Sequence, residues 1–331
     1  MSKPSFDVLT IGNAIVDVFS RVEESFLARH GVTKGMMRLV SEAQSAELFD
    51  DMGPSTQISG GSGANTAVGV ASFGGKVAFI GKVKADRLGK VFTHDTQSAG
   101  VHFATAHATS GPATASSLIL ITPDGERTMN TFLGACVHLT PDDIDEAVVA
   151  ASKVTYLEGY LWDPPLAKEA FKKAARIARD AGRLVSITLS DSFCVDRHRD
   201  SFLDLIRSDI DILFANEKEI KSLYQVETFD EALQRARKDC AIAALTRSEA
   251  GCVIVKGEEI HVVEAHPVKQ VIDATGAGDL FASGFLYGFT RDLSLVQSAR
   301  LGALAAAEVI SHVGARPQMS LNAHAKANGL L

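Results

Sequence analysis

Cysteine is scarce in this chain: Cys136, Cys194, Cys240 and Cys252 stand far apart and form no CxxC pair. Neither a zinc cluster nor a disulfide framework is signalled, and reduced thiols are expected. No apolar run approaches the ~18 residues of a membrane span. The opening MSKPSFDVLTIG passes from a short polar tail into an apolar strand with no signal-peptide pattern, so a cytoplasmic protein is expected. Basic charge is also short. A net charge of −7 and a pI of about 5.8 argue against a nucleic-acid partner or an anionic membrane surface. The ten histidines include no HExxH or similar ligand spacing and suggest no metal role. Gly74-Gly75-Lys76 is followed by Val77 and lacks the first glycine of a P-loop, and no GxGxxG follows the first strand, which removes a dinucleotide-dependent oxidoreductase.

What is present is a globular balance of 46% hydrophobic and 22% charged residues, enough for a sizeable core. Short β-branched runs, FDVLTIG, VAFIGKV, VTYLEG, LVSITL, IDILFAN and IAALTR, alternate with amphipathic helical patterns such as Pro165 to Ala181, Phe229 to Lys238 and Leu293 to Ile310. That alternation predicts an α/β fold: a central, mostly parallel sheet with helices on both faces. Two stretches, about 18–60 and 103–133, are richer in strand and turn signals. In the second, Pro123-Asp124-Gly125 turns between two extended runs. With no repeat, low-complexity tract or linker, residues 1–331 read as one domain carrying a small β-rich lid made by these insertions.

The segment VIDATGAGDLFASGFLYGF has a strand-like start, a Gly-rich turn, then Phe281, Phe285 and Phe289 at helical spacing. Gly276 and Gly278 allow close backbone approach, and the free N–H groups of the helix start make an anion site with Asp279 beside it. The plainer alternative is a helix capped by Thr275 with Asp279 complementing its dipole. In ISGGSGANTAVGV, Gly60, Gly61 and Gly63 precede a helix starting near Ala64, with Asn65 either a ligand contact or a cap. Asn13 and Asp17 follow the first strand in IGNAIVDV. Asn216 and Glu219 are three apart at a strand-to-helix junction and can face one point, or be a cap and a solvated carboxylate.

GAGD, with the di-glycine run, closely resembles the two signatures of the PfkB, or ribokinase-like, family of carbohydrate and nucleoside kinases, and the resemblance covers nearly the whole chain. It implies that the amides of Gly276, Ala277 and Gly278 form an anion hole for the transferring phosphate and that Asp279 accepts the acceptor hydroxyl's proton. A carboxylate beside helix N–H groups is expected to be a weak base, which suffices because phosphoryl transfer depends on positioning and charge stabilisation. Gly61 and Asn65 would hold acceptor hydroxyls. ILFANEKEI is similar to the element that positions Mg2+ and the phosphates of ATP, largely through water, with Asn216 and Glu219. LTRSEAGCVIV resembles the strand and turn under the nucleotide, which makes Thr246 and Gly251 ATP contacts. The family more often has Gly in place of Ser248, and often Thr in place of Ala274.

IGNAIVDV resembles the adenosine-kinase branch, in which Asn13 and Asp17 would bind ribose hydroxyls. Arg127, after the Asp124-Gly125 turn, is similar to that branch's lid arginine, which meets phosphate. Met129, Phe132 and Leu161 are candidates for a flat apolar base pocket, with core packing an equal explanation for each. The resemblance therefore implies a small-molecule kinase using ATP and Mg2+, with adenosine phosphorylated at its 5′-hydroxyl as the preferred reading. A sugar kinase acting on ribose or fructose is the alternative, and a non-catalytic nucleoside sensor a third. Activation by a monovalent cation such as K+ stays open, as does the choice between monomer and homodimer, for which a flap edge offers a pairing surface.

Overall fold

The computed structural model describes residues 4–331. In chain order its strands are β1 (Phe6–Ile11), β2 (Ile15–Arg21), β3 (Met37–Leu39), β4 (Ser55–Gly60), β5 (Val77–Ile80), β6 (Val101–Phe103), β7 (Ala115–Ile121), β8 (Arg127–Phe132), β9 (Ser152–Glu158), β10 (Leu184–Thr188), β11 (Ile212–Asn216), β12 (Ile242–Thr246), β13 (Cys252–Lys256) and β14 (Glu259–Val263). Nine of them form one sheet in the order β14-β13-β12-β11-β10-β9-β1-β5-β6. Pairing is parallel from β12 through β6, and β13 alone runs opposite, pairing antiparallel with both β12 and β14.

Burial on both faces explains why these strands read as continuous apolar runs. In β1, Leu9 and Ile11 join the core beneath helices Pro165–Asp180 and Ser192–Asp209, whereas Val8 faces the opposite core with Phe281 and Phe285. The three predicted helices form at Pro165–Asp180, Phe229–Asp239 and Leu295–Val309. The carboxyl ends of β1, β9, β10, β11 and β12 lie along one edge, bringing Glu158, Thr188, Asn216 and Thr246 to a common rim. In parallel α/β sheets such a rim is where ligands bind.

The other five strands make a second sheet, β3-β8-β7-β2-β4. The predicted hairpin is there: β7 and β8 pair antiparallel around Gly125, whose φ of 87° meets the turn's demand for a left-handed residue. Two expectations need correction. Residues 18–60 contain helices as well as strands, at Glu24–Arg29 and at Glu42–Asp51, the latter started by a reciprocal cap between Ser41 and Gln44. Val271 and Ile272 are not a strand; they are exposed, and the Ile272 N–H bonds to the Ile310 carbonyl outside either sheet. Among the described residues no helix is long and apolar enough to cross a membrane.

Candidate active site

At the rim lies a cavity of about 420 Å³ whose wall includes Asp17, Gly61, Asn65, Asn216, Glu219, Thr246, Gly276, Ala277, Gly278 and Asp279. Residues more than 250 positions apart in the chain thus meet at one place.

One end of the cavity is made of backbone. Helix Ala277–Phe289 begins at Gly276, which has a φ of 82° and no side-chain cap. The first N–H groups of a helix have no partner within it; here no side chain takes them, and the Ala277 N–H makes a long bond of 3.3 Å to the Ala274 carbonyl. A Cβ on Gly276 would fall 2.8 Å from the Cα of Ala315, so glycine is required by conformation and by space. A Cβ on Gly278 would meet nothing within 4 Å: its backbone faces open space, as an anion cradle needs. Asp279 sits in the first turn with both carboxylate oxygens engaged, Oδ1 by the Ser62 hydroxyl at 2.6 Å and Oδ2 by Asn65 Nδ2 at 3.0 Å. Burial pushes its pKa up against those two donors, so it is a stronger base than its position beside helix N–H groups suggests.

The other end is made of side chains. Asp17 is half-buried on β2, and desolvation lifts its pKa to about 6 while Arg316 and Arg127 pull the other way. Register places Phe19, Ile119 and Met129 on the same sheet face, one step along from Asp17. Gly61 has a φ of 95°, and a Cβ there would lie 2.0 Å from the Asn13 carbonyl oxygen, which makes the turn into helix Ser62–Ser72 a glycine position.

Several predicted residues lie off the cavity wall. Asn13 is buried, its Nδ2 donating to Glu158 Oε1 at 2.7 Å; its Oδ1 has no protein partner. Arg127 pairs with Asp273, in the loop leading to Gly276, and lies 5.3 Å over the Phe19 ring, so its charge stands between the second sheet and the glycine turn. Gly251 is a turn glycine with φ of 79°; a Cβ there would strike the Val263 carbonyl at 2.1 Å. Ser248 itself adopts φ of 51°, so the loop keeps the shape that glycine would allow. Leu161 must be removed from the base pocket: it is fully buried in the core with Trp162 and Phe171. Phe132 is corrected too, because it pairs with Ser116 on the sheet face turned to helix Glu42–Asp51, opposite Asp17 and Met129.

Three residues were missed by sequence reasoning. Ser62 stands inside the glycine run and bonds the candidate base. Glu158, the last residue of β9, is buried and accepts from the Asn13 N–H at 3.1 Å, Asn13 Nδ2 at 2.7 Å and the Gly63 N–H at 2.7 Å, tying the end of β1 to the start of helix Ser62–Ser72. Desolvation raises its pKa to about 7 despite these donors. The acid ending an otherwise apolar strand was the available signal. Arg316, in the sequence GARP, had none.

The donor set bears on magnesium. Glu219 Oε2 accepts from the Asn216 N–H at 2.9 Å and Oε1 from Asn216 Nδ2 at 2.5 Å, while Asn216 Oδ1 caps the helix at the Glu219 N–H. Each acid oxygen keeps a lone pair for water, so the pair fits a cation that retains its own waters. Among the described residues no group of three or more acidic, His or Cys side chains offers a direct metal cage.

Residues 36–321 match the family model described as pfkB family carbohydrate kinase. The chain is similar to a solved structure of a probable sugar kinase protein from Rhizobium etli CFN 42, at 55% identity and a TM-score of 0.91, covering 99% of this chain and 100% of that one. It is also similar to the structure of adenosine kinase from Sinorhizobium meliloti, at 53% identity and a TM-score of 0.89, covering 98% and 99% of the two chains. Adenosine kinase from Saccharomyces cerevisiae is 27% identical over 330 residues, 93% of this chain and 95% of the yeast protein.

Proposed function

The chain belongs to the pfkB family of carbohydrate kinases, phosphotransferases that act on hydroxyl groups, and from that premise we propose that it transfers the terminal phosphoryl group of ATP to the 5′-hydroxyl of adenosine, giving ADP and AMP. The observation that carries the acceptor reading is Asp17. It is a half-buried carboxylate on a sheet face that continues through Phe19, Ile119 and Met129. Such a face suits a ligand with vicinal hydroxyls at one side, which a carboxylate grips with charge-assisted bonds, and a flat apolar ring at the other. Similarity over the full chain to an adenosine kinase supports the same choice.

In this reading the amides of Gly276, Ala277 and Gly278 hold the transferring phosphate and stabilise the charge it develops, that of Ala277 after exchanging the Ala274 carbonyl for it. Asp279 accepts the hydroxyl proton, its orientation held by Ser62 and Asn65. Asn216 and Glu219 would hold Mg2+ through its waters; the ion would neutralise phosphate charge. Arg127 would meet phosphate after exchanging Asp273 for it. Closure of the second sheet over the acceptor would exclude water that otherwise hydrolyses ATP.

A sugar acceptor is the second reading, favoured by the 55% identity to a probable sugar kinase. ADP release measured across adenosine, inosine, ribose and fructose separates the two. The proposal expects kcat/KM for adenosine to exceed that for either sugar by at least ~100-fold, since a base docked on an apolar face adds ~3 kcal/mol. A higher value for ribose or fructose overturns it.

A further inference from the structure

Three consecutive residues after helix Leu295–Val309 touch both halves of the site. The Gly314 N–H donates to Asp273 Oδ2 at 3.0 Å, Ala315 abuts Gly276, and Arg316 Nε donates to Asn65 Oδ1 at 3.4 Å. Asn65 in turn donates its Nδ2 to the carboxylate of Asp279. We propose that Arg316 is a positioning residue for phosphoryl transfer: by holding Asn65 Oδ1 it fixes the plane and orientation of the amide that holds Asp279. The inference rests on Asp279 being the base.

The terminal torsion of asparagine is broad and roughly two-fold, so one hydrogen bond leaves its amide free to pivot. With Arg316 on the oxygen and Asp279 on the nitrogen, both ends are anchored. The flipped amide would set Nδ2 against a guanidinium, which only donates, and Oδ1 against a carboxylate, which only accepts. A charged donor on the oxygen also polarises the amide and strengthens its donation to the base.

A purely structural arginine would satisfy its donors in an ion-pair network. Arg316 does not. Among the described residues it forms no salt bridge, and its Nη2 is buried with no partner. Asp17 and Asp95 act on it only through their fields, and desolvation lowers its pKa to about 10, which leaves it charged at neutral pH. A half-buried guanidinium with a buried, unsatisfied donor is costly, which matches a role in the site rather than in folding.

A double-mutant cycle tests this. Arg316→Met is expected to lower kcat ~10- to 100-fold, the scale of a misplaced catalytic group, with KM for ATP within about twofold. Asn65→Ala should lose a similar amount. If Arg316 works through Asn65, the double variant is no slower than Asn65→Ala alone. Arg316→Lys keeps the charge but not the planar fork and should recover part of kcat only when Asn65 is present. Should Arg316→Met fail to fold, the Lys variant carries the same cycle. Additive losses, or a lower melting temperature with unchanged kcat, overturn the proposal. Asp279→Asn in the same assay separates the two failures: activity there defeats the assignment of the base, whereas loss there with an additive cycle defeats only Arg316.

Discussion

The two ends of the cavity are built from different materials. The end proposed to hold phosphate is backbone: Gly276, Ala277 and Gly278 at the start of a helix whose other residues are largely buried. The end proposed for the acceptor is side chains, Asp17 and Asn65, carried on a sheet and a helix; Glu158 bonds the start of that helix and Arg316 bonds Asn65 from elsewhere in the chain. Backbone donors cannot be exchanged by substitution, whereas side chains can. That difference suits an enzyme whose phosphate end is fixed while its acceptor end can be varied by substitution. It also predicts which changes abolish transfer and which only re-rank acceptors.

The largest effect should come from Asp279. Asp279→Asn removes the proton acceptor while keeping shape, and kcat is expected to fall ~10²- to 10⁴-fold with ATP binding, read by calorimetry, retained. Gly276→Ala comes next. Its left-handed φ and the contact with Ala315 force the loop to move, so kcat should drop ~100-fold for every acceptor alike. Asp17→Ala should act on the acceptor side instead, lowering kcat/KM for adenosine ~10- to 100-fold and leaving KM for ATP unchanged. A matching rise in KM for ATP would erase the contrast between the two ends.

Asp17 also predicts a pH dependence. Its carboxyl is protonated below about 6 and can then no longer accept two hydroxyl bonds, so kcat/KM for the acceptor should fall as pH drops through 6. Above that pH the carboxylate is present and this limb is flat. Asp17→Asn should abolish the limb; an unchanged profile in that variant would assign it to another group. The smallest kinetic effect belongs to Leu161→Ala, which should cost ~2–5 kcal/mol of stability through a core cavity without changing KM. Met129→Ala, on the Asp17 face, should do the reverse and shift KM for adenosine severalfold while sparing stability.

The parallel sheet was legible because its predicted strands are apolar runs bounded by turns, and GAGD stood out as a candidate because its glycines and carboxylate lie within four consecutive residues. What could not be read depends on long-range meetings. Ser62 and Asp279 are separated by 217 positions, and Asn65 and Arg316 by 251. No local pattern encodes such pairs. Phe132 is different, since strand alternation alone shows that positions 129 and 132 cannot share a face. Leu161 follows the end of β9 in a short 3-10 turn, where an apolar residue serves a core or a pocket equally well until packing decides. Ser248 shows the converse: a departure from glycine left the loop shape intact because serine took the left-handed conformation.

The central claim is that a nucleoside gripped by Asp17 at its vicinal hydroxyls presents its 5′-hydroxyl to Asp279, where it receives the phosphoryl group. Phosphorus NMR of the product formed from adenosine and ATP tests it most directly. The account predicts adenosine 5′-monophosphate from the native chain and no product on the same timescale from Asp279→Asn. A 2′- or 3′-phosphate, or 5′-phosphate made at the native rate without the Asp279 carboxylate, would contradict it.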